Sequence, residues 1–339
     1  MNPMKKRYRH LATTLLLASS ALAGTVQAET WKFALEEVKG SVQDAYAQEF
    51  KQRIETKTGG DVTVEVYPYG TLGQSEDLTE LAANGIIQFT NASPGIFGSF
   101  VPEMQVFSIP YLLSSDNEVN KKVLSAGPTI YGTLGGKLEA KNLKLLTMFP
   151  EGEMVWTTNR AIRSPQDFNN FKMRVMASPM LMEAYKSFGA DPTPLPYSEV
   201  YGALQLKMID GQVNPVFAIQ EMKFYEVSDY MIWAGQQQFT TTVITNNAWF
   251  NGLPEARRKL VQETISQMND FIFTKQAEFN QMRLEQIKQA KPEMKMVHLN
   301  EQERAEFKRA SMPMRDKYVE LTGKSGQAVL DALEQEFSQ

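Results

Sequence analysis

Apolar and polar residues alternate through Thr30-Trp31-Lys32-Phe33-Ala34, the period of a strand with one face buried. The period then lengthens. Over Val42–Lys57, Ala45, Phe50 and Ile54 share one face of an expected helix, which Gly59-Gly60 stops. Alternation returns in Val62-Thr63-Val64-Glu65-Val66-Tyr67, a second strand ended by Pro68 and Gly70. Residues 76–83 read as a helix, and Ile86-Ile87-Gln88-Phe89 as a third strand. Strand and helix in alternation imply an α/β domain with a largely parallel sheet.

A second such set begins near Lys144. Residues 145–149 and 154–158 read as two strands. Ser164-Pro165-Gln166-Asp167-Phe168 is a helix start, because Ser caps, Pro fits the first turn and Asp suits the helix dipole. Lys172-Met173-Arg174-Val175 is a short strand leading into a helix over 178–188. A helix over 199–207 and a strand over 212–217 follow. The last third is helical: a run opened by Pro254 and reaching Lys288, then 301–321, then 325–337. The long run either braces two domains from behind or is a pair of ordinary surface helices. The sequence has no internal repeat.

The 339 residues suggest two domains. The first residues read as an address. Lys5, Lys6, Arg7 and Arg9 form a basic start, residues 11–23 a short apolar stretch, and Val26-Gln27-Ala28 a cleavage signal. The expectation is a signal peptide over 1–28, a mature start at Glu29 and export to the periplasm. The alternative, an uncleaved anchor, needs roughly 20 apolar residues. Without a cysteine, no lipid tether is expected. The chain has 35 Lys+Arg and 39 Asp+Glu; the first 28 residues hold four basic residues and no acidic one, leaving 31 against 39. That acidic balance argues against nucleic acid as a partner.

Absences narrow the chemistry. The lack of cysteine removes disulfides, thiol nucleophiles and cysteine metal sites. His298 is the one histidine beyond the address segment, too few for a His-paired metal site, and reads as a plain strand residue. Nucleotide loops and nucleophile elbows are missing. No enzyme, cofactor or metal is expected, and two α/β domains then point to a ligand cleft between them.

Four places supply groups for such a cleft. Glu36-Glu37 follows the first strand, where α/β sheets collect ligands; its alternative is a solvated acidic loop. Arg174 stands between Met173 and Val175, and its guanidinium fork matches a carboxylate; the alternative is a structural ion pair. Asp210-Gly211 turns into a strand ending at Asn214-Pro215, where Asn214 offers donor and acceptor; it is otherwise a plain turn. Phe97, Tyr111, Trp156, Tyr197 and Phe217 lie at expected strand ends or loops as aromatic walls, or in the core.

The stretch 159–168 with Lys172-Met173-Arg174-Val175, together with Tyr197-Ser198-Glu199-Val200-Tyr201 and Ile209-Asp210-Gly211-Gln212-Val213-Asn214-Pro215, resembles the solute-binding proteins of TRAP (tripartite ATP-independent periplasmic) transporters, the DctP type. The resemblance runs over the whole mature chain. It implies a two-domain periplasmic binding protein fold with a hinge, a long bracing helix and delivery to a small and a large membrane subunit. It also implies that Arg174 clamps a ligand carboxylate, that Asn214 contacts the ligand, and that Tyr197 forms a wall. Glu36-Glu37 with Val42-Gln43-Asp44, and Pro150-Glu151-Gly152-Glu153, look most like the ectoine- and hydroxyectoine-binding members, in which the carboxylate matching Glu37 meets the ligand's cationic side. This chain departs from them in Ile96, Ala218 and a gained Trp156, so a rebuilt aromatic box is expected.

The resulting expectation is a periplasmic receptor for a small zwitterion bound by Glu37, Arg174, Tyr197, Asn214, Phe217 and Trp156. A C4-dicarboxylate, taurine or an amino alcohol remains as an alternative ligand, and a sensor feeding a signalling system as an alternative role. The first domain is expected over 29–152 with about 240–280, the second over 153–239 with about 281–339.

Overall fold

The computed structural model describes residues 28–339, so the expected signal segment, apart from Ala28, lies outside the described residues. Among the described residues, nine strands form one mixed sheet: β1 (Glu29–Ala34), β2 (Val62–Tyr67), β3 (Phe89–Ala92), β4 (Leu143–Thr158), β5 (Lys172–Val175), β6 (Asp191–Pro194), β7 (Gly211–Asn214), β8 (Tyr230–Asn246) and β9 (Lys295–His298). Their order is β2-β1-β3-β8-β4-β7-β5-β6, with β9 beside β8. β1, β2 and β3 are mutually parallel, as are β5, β6 and β7. Between these groups run β4 and β8, paired antiparallel from Leu143↔Asn246 to Thr158↔Tyr230.

Those two long strands make the molecule two-lobed. One end of β8 pairs with β3 and the far end of β4 pairs with β7, so both strands belong to both lobes. Each lobe buries both faces of its part of the sheet. Phe33, Phe50, Phe89 and Val243 lie in one cluster of the first lobe, and Leu78, Leu124, Leu138 and Ile244 in another. In the second lobe Trp156, Phe168, Met173 and Phe188 form one cluster, and Val155, Val200, Ile219 and Met231 its counterpart.

Where the lobes meet, β4 is irregular. Its register against β8 shifts between Pro150 and Gly152 and again between Glu153 and Val155. Bulges of this kind bend a strand and re-aim its side chains. Gly152 has φ of +139°, and a Cβ there would lie 2.5 Å from Asn280 Nδ2. Asn280 has little room to move, because Nδ2 donates to Glu151 O at 2.7 Å and Oδ1 accepts from the Phe217 N–H at 3.2 Å.

Several expectations hold in detail. The helix Val42–Lys57 appears as read, with Ser41 Oγ accepting from the Asp44 N–H at 3.1 Å, a cap worth about 1 kcal/mol. The helix Glu255–Ala290 is continuous over 36 residues. Val261, Ile265, Met268 and Ile272 enter the first-lobe core and Ile287 the second, so this helix braces both lobes.

Others are corrected. The third strand is Phe89–Ala92, shifted toward the C-terminus of the expected run, and Ile86 is exposed. The two strands expected over 145–158 are one, because Pro150-Glu151-Gly152 bends the strand without ending it. The expected strand over 212–217 stops at Asn214, and Pro215 caps the helix Val216–Glu221. The helix expected over 301–321 breaks between Ser311 and Met314. The final helical stretch, Met314–Phe337, is kinked at Gly323, near the expected break between 321 and 325, and packs Tyr318, Leu330 and Phe337 into the cluster that holds Leu78 and Leu124.

Candidate functional site

The parallel strands of both lobes end at the same crevice. β1 delivers Leu35-Glu36-Glu37 and β2 delivers Tyr69 from one side. From the other, β5 delivers Arg174, β6 leads to Leu195 and Tyr197, and β7 ends on Asn214. This is the position where open α/β sheets hold ligands. A cavity of about 120 Å³ lies there, lined by Glu36, Glu37, Gln43, Tyr69, Glu76, Ile96, Arg174, Tyr197, Asn214, Ala218 and Phe239 among others. Its size suits a small metabolite.

The first-lobe wall is acidic. Glu36 and Glu37 are each only 6 % exposed. Glu36 Oε2 accepts from the Ser93 N–H at 2.7 Å, while Oε1 has no partner. Glu37 Oε2 accepts from the Gln43 N–H at 3.3 Å, and its backbone carbonyl accepts from the Tyr69 N–H at 2.8 Å. Burial pushes both carboxyls well above the usual carboxylate range, and nearby Glu151 adds to the effect on each.

The second-lobe wall presents one cation. Arg174 is 2 % exposed. Its Nε and Nη2 donate to Leu195 O at 3.0 and 2.7 Å, and Nη1 has no partner. The carbonyl fixes one edge of the fork and leaves the Nη1/Nη2 end for a ligand carboxylate. Burial brings the guanidinium down to about 10, with Tyr197, Tyr69 and Glu76 opposing the shift, so it stays charged at neutral pH. Asn214 Nδ2 donates to Gln212 Oε1, which leaves Oδ1 able to accept a hydrogen bond.

Aromatic rings close the space. Tyr69 of the first lobe and Tyr197 of the second meet edge to face at 5.6 Å, and Tyr197 rests on Phe224 at 5.9 Å. That geometry is favourable for rings and links the lobes over the cavity.

Of the expected ligand residues, Glu37, Arg174, Tyr197 and Asn214 line this cavity. Trp156 and Phe217 do not. Trp156 is fully buried in the second-lobe core, where Nε1 donates to Tyr185 Oη at 2.9 Å and its ring packs on Phe168 and Phe307. Phe217 is also fully buried, because the chain turns helical after Pro215 and swings it into the first-lobe core, bringing Ala218 to the cavity instead. Phe97 is core, and Tyr111 lines a separate polar cavity beside Glu153 and Arg304. Tyr69, Phe239, Gln43 and Glu76 were not expected as lining. Tyr69 had a readable signal, standing just past a strand end in Tyr67-Pro68-Tyr69-Gly70. Phe239 had none, since β8 carries no clear alternation. His298 lies on β9 and stacks on Trp233 at 4.6 Å.

Among the described residues no helix is long and apolar enough to cross a membrane, and no group of three or more His, Cys, Asp or Glu is placed to hold a metal.

Comparison with known proteins bears on this geometry. Residues 33–321 match the family model of the bacterial extracellular solute-binding proteins, family 7 (DctP). The chain is 41 % identical over 317 residues to the ectoine/5-hydroxyectoine-binding periplasmic protein UehA of Ruegeria pomeroyi, covering 93 % of each. It is 40 % identical over 337 residues to the ectoine-binding periplasmic protein TeaA of Halomonas elongata, covering 96 % of this chain and 95 % of that one. The solved structure of the ectoine-binding protein of the H. elongata TeaABC TRAP transporter superposes with a TM-score of 0.87, covering 91 % of this chain and 99 % of its own.

Proposed function

The chain belongs to the DctP family of bacterial extracellular solute-binding proteins (family 7), and on that footing we propose that its cleft captures a small zwitterion in the periplasm for a TRAP transporter. One observation carries the reading. Arg174 on one lobe and Glu36 and Glu37 on the other line one cavity, and Arg174 Nη1 and Glu36 Oε1 are buried without a partner. A solute with a carboxylate at one end and a cationic N–H group at the other satisfies both without leaving a buried charge unpaired.

Ectoine, hydroxyectoine and amino-acid-like solutes have this form, and ectoine is named for the relatives UehA and TeaA. Succinate and malate lack it. A second carboxylate would meet Glu36 and Glu37 in a dry pocket, where like charges repel strongly. Glu37, Arg174, Asn214 and Tyr197 are the proposed contacts, joined by Glu36, Tyr69 and Phe239; Ile96 and Ala218 leave room that an aromatic side chain would fill.

The proposed lobes are residues 29–152 with about 240–280, and 153–239 with about 281–311, with the last helix returning to the first lobe. The chain is a receptor and performs no chemistry on its solute. Export follows cleavage after Ala28, so mass spectrometry of periplasmic extract should find a mature start at Glu29. A thermal-shift screen tests the ligand class. Ectoine and hydroxyectoine should raise the melting temperature, and succinate should leave it unchanged. A shift with succinate and none with any amine-bearing solute would refute the proposal.

A further inference from the structure

Behind Glu37 lies a carboxylate that solute capture alone does not explain. Glu151 sits in β4 at the register shift between Pro150 and Gly152 and is fully buried. Gln43 ties it to Glu37. The Gln43 N–H donates to Glu37 Oε2 at 3.3 Å, and its Nε2 donates to Glu151 Oε1 at 3.0 Å. Gln43 thus sets the two carboxyls side by side, close enough for the charge of Glu151 to raise Glu37, and Glu151 Oε2 has no partner among the described residues.

The surroundings do not neutralise two charges. Glu36 is next to the pair on the same loop. Asp44, on the helix Val42–Lys57, already accepts from Gly40 and Gln48. Glu221 is held by Arg283 of the long helix at 3.0 Å, so that arginine is spent. Glu76 is a further carboxylate of the cavity wall. Tyr46 and Tyr197 are hydroxyls kept neutral by burial. Arg174 is across the cavity, anchored on Leu195 O. Two adjacent ionised carboxylates without a cation of their own are strongly unfavourable in such a site.

We propose that Glu37 and Glu151 hold one proton between them before solute binds, and that docking of the solute's cationic N–H group on Glu37 releases that proton to solvent. The second half rests on the zwitterion reading above; the first does not. The exchange balances. The proton shared by the carboxyls is replaced by an N–H···O bond from the solute: one cation enters that end of the cleft and one proton leaves it, so the charge there is unchanged, while the solute carboxylate offsets Arg174 at the other end. Solute and proton therefore compete, and affinity should rise with pH by up to about tenfold per unit across the range where the pair titrates.

Burial pushes both carboxyls above the usual range, and the neighbouring carboxylate pushes Glu37 further. A carboxyl raised on folding stabilises the fold below its unfolded value, near about 4.3, and that contribution is lost as pH rises through the folded value. The melting temperature of the ligand-free mature protein should therefore fall from pH 5 to pH 8. Glu151→Gln should make the fall shallower and raise the melting temperature at pH 8. Glu37→Gln should do the same, and the double variant should add little, because either change alone dissolves the pair. Glu221, pushed up to about 7 by burial, titrates nearby and serves as the control. A slope unchanged in Glu151→Gln, or lost only in Glu221→Gln, would overturn the shared proton. Calorimetry with ectoine in phosphate and in Tris at one pH then reads the release. Wild type should liberate up to one proton per ectoine bound, and Glu151→Gln should give heats independent of buffer. Buffer-independent heats in the wild type would overturn the linkage. If the stability slope behaves as stated while ectoine and the other zwitterions fail to bind, the shared proton stands and the ligand class falls.

Discussion

Arg174 is the side chain proposed to meet the solute's carboxylate. Its Nε and Nη2 already hold Leu195 O, so the guanidinium is positioned before the solute arrives. Arg174→Ala should weaken binding by on the order of 3 kcal/mol, since it also leaves the ligand carboxylate unpaired in a dry site. Titration calorimetry checks this, with circular dichroism to establish the fold; an unchanged affinity would remove Arg174 from the site. Arg174→Lys should bind poorly as well, because one ammonium cannot serve both Leu195 O and a carboxylate fork. Tyr69→Ala should cost about 1 kcal/mol of affinity by opening the aromatic wall, read by the same titration. At this scale the charged half of the site was legible and the aromatic half was not. Glu37 just past β1, Arg174 inside β5 and Asn214 at the end of β7 are polar residues beside apolar strand positions, which a sequence displays directly. An aromatic residue looks alike in a core and in a wall, and the pattern could not tell Tyr197 from Trp156.

The two long strands are the elements that turn a sheet into a cleft, and their course was hidden. Pro150-Glu151-Gly152 looks like a break because proline and glycine usually end strands. Here the same residues bend β4 at a register shift and let it continue into the second lobe. Local chemistry likewise misplaced Phe217, since Pro215 begins a helix where the apolar run suggested more strand. Elements set by their own caps and periodicity, such as Val42–Lys57, were read correctly to the residue. The bend itself is testable. Gly152→Ala combines a φ of +139° with a Cβ contact against the anchored Asn280. It should destabilise the fold by about 1–3 kcal/mol in urea denaturation. A stability equal to wild type would show that the backbone at the bend relaxes freely.

At the scale of the whole molecule, the lobes share two strands, a bracing helix and the Tyr69–Tyr197 contact, and the charges that line the cavity are divided between them. A cleft built this way engages its ligand fully only when shut. Small-angle scattering should show compaction on adding ectoine, and identical profiles at saturation would speak against closure. Two-lobed architecture was legible from the repeated strand–helix pattern and chain length, while the packing partners of the final helical stretch were not, because they depend on where the chain returns in space. The central claim is that opposite charges on opposite lobes read the two ends of one zwitterion. Its most direct test is a pair of calorimetric titrations of the mature protein, one with ectoine and one with succinate. The account predicts one ectoine bound per chain and no heat from succinate; tight binding of succinate with no response to ectoine would contradict it.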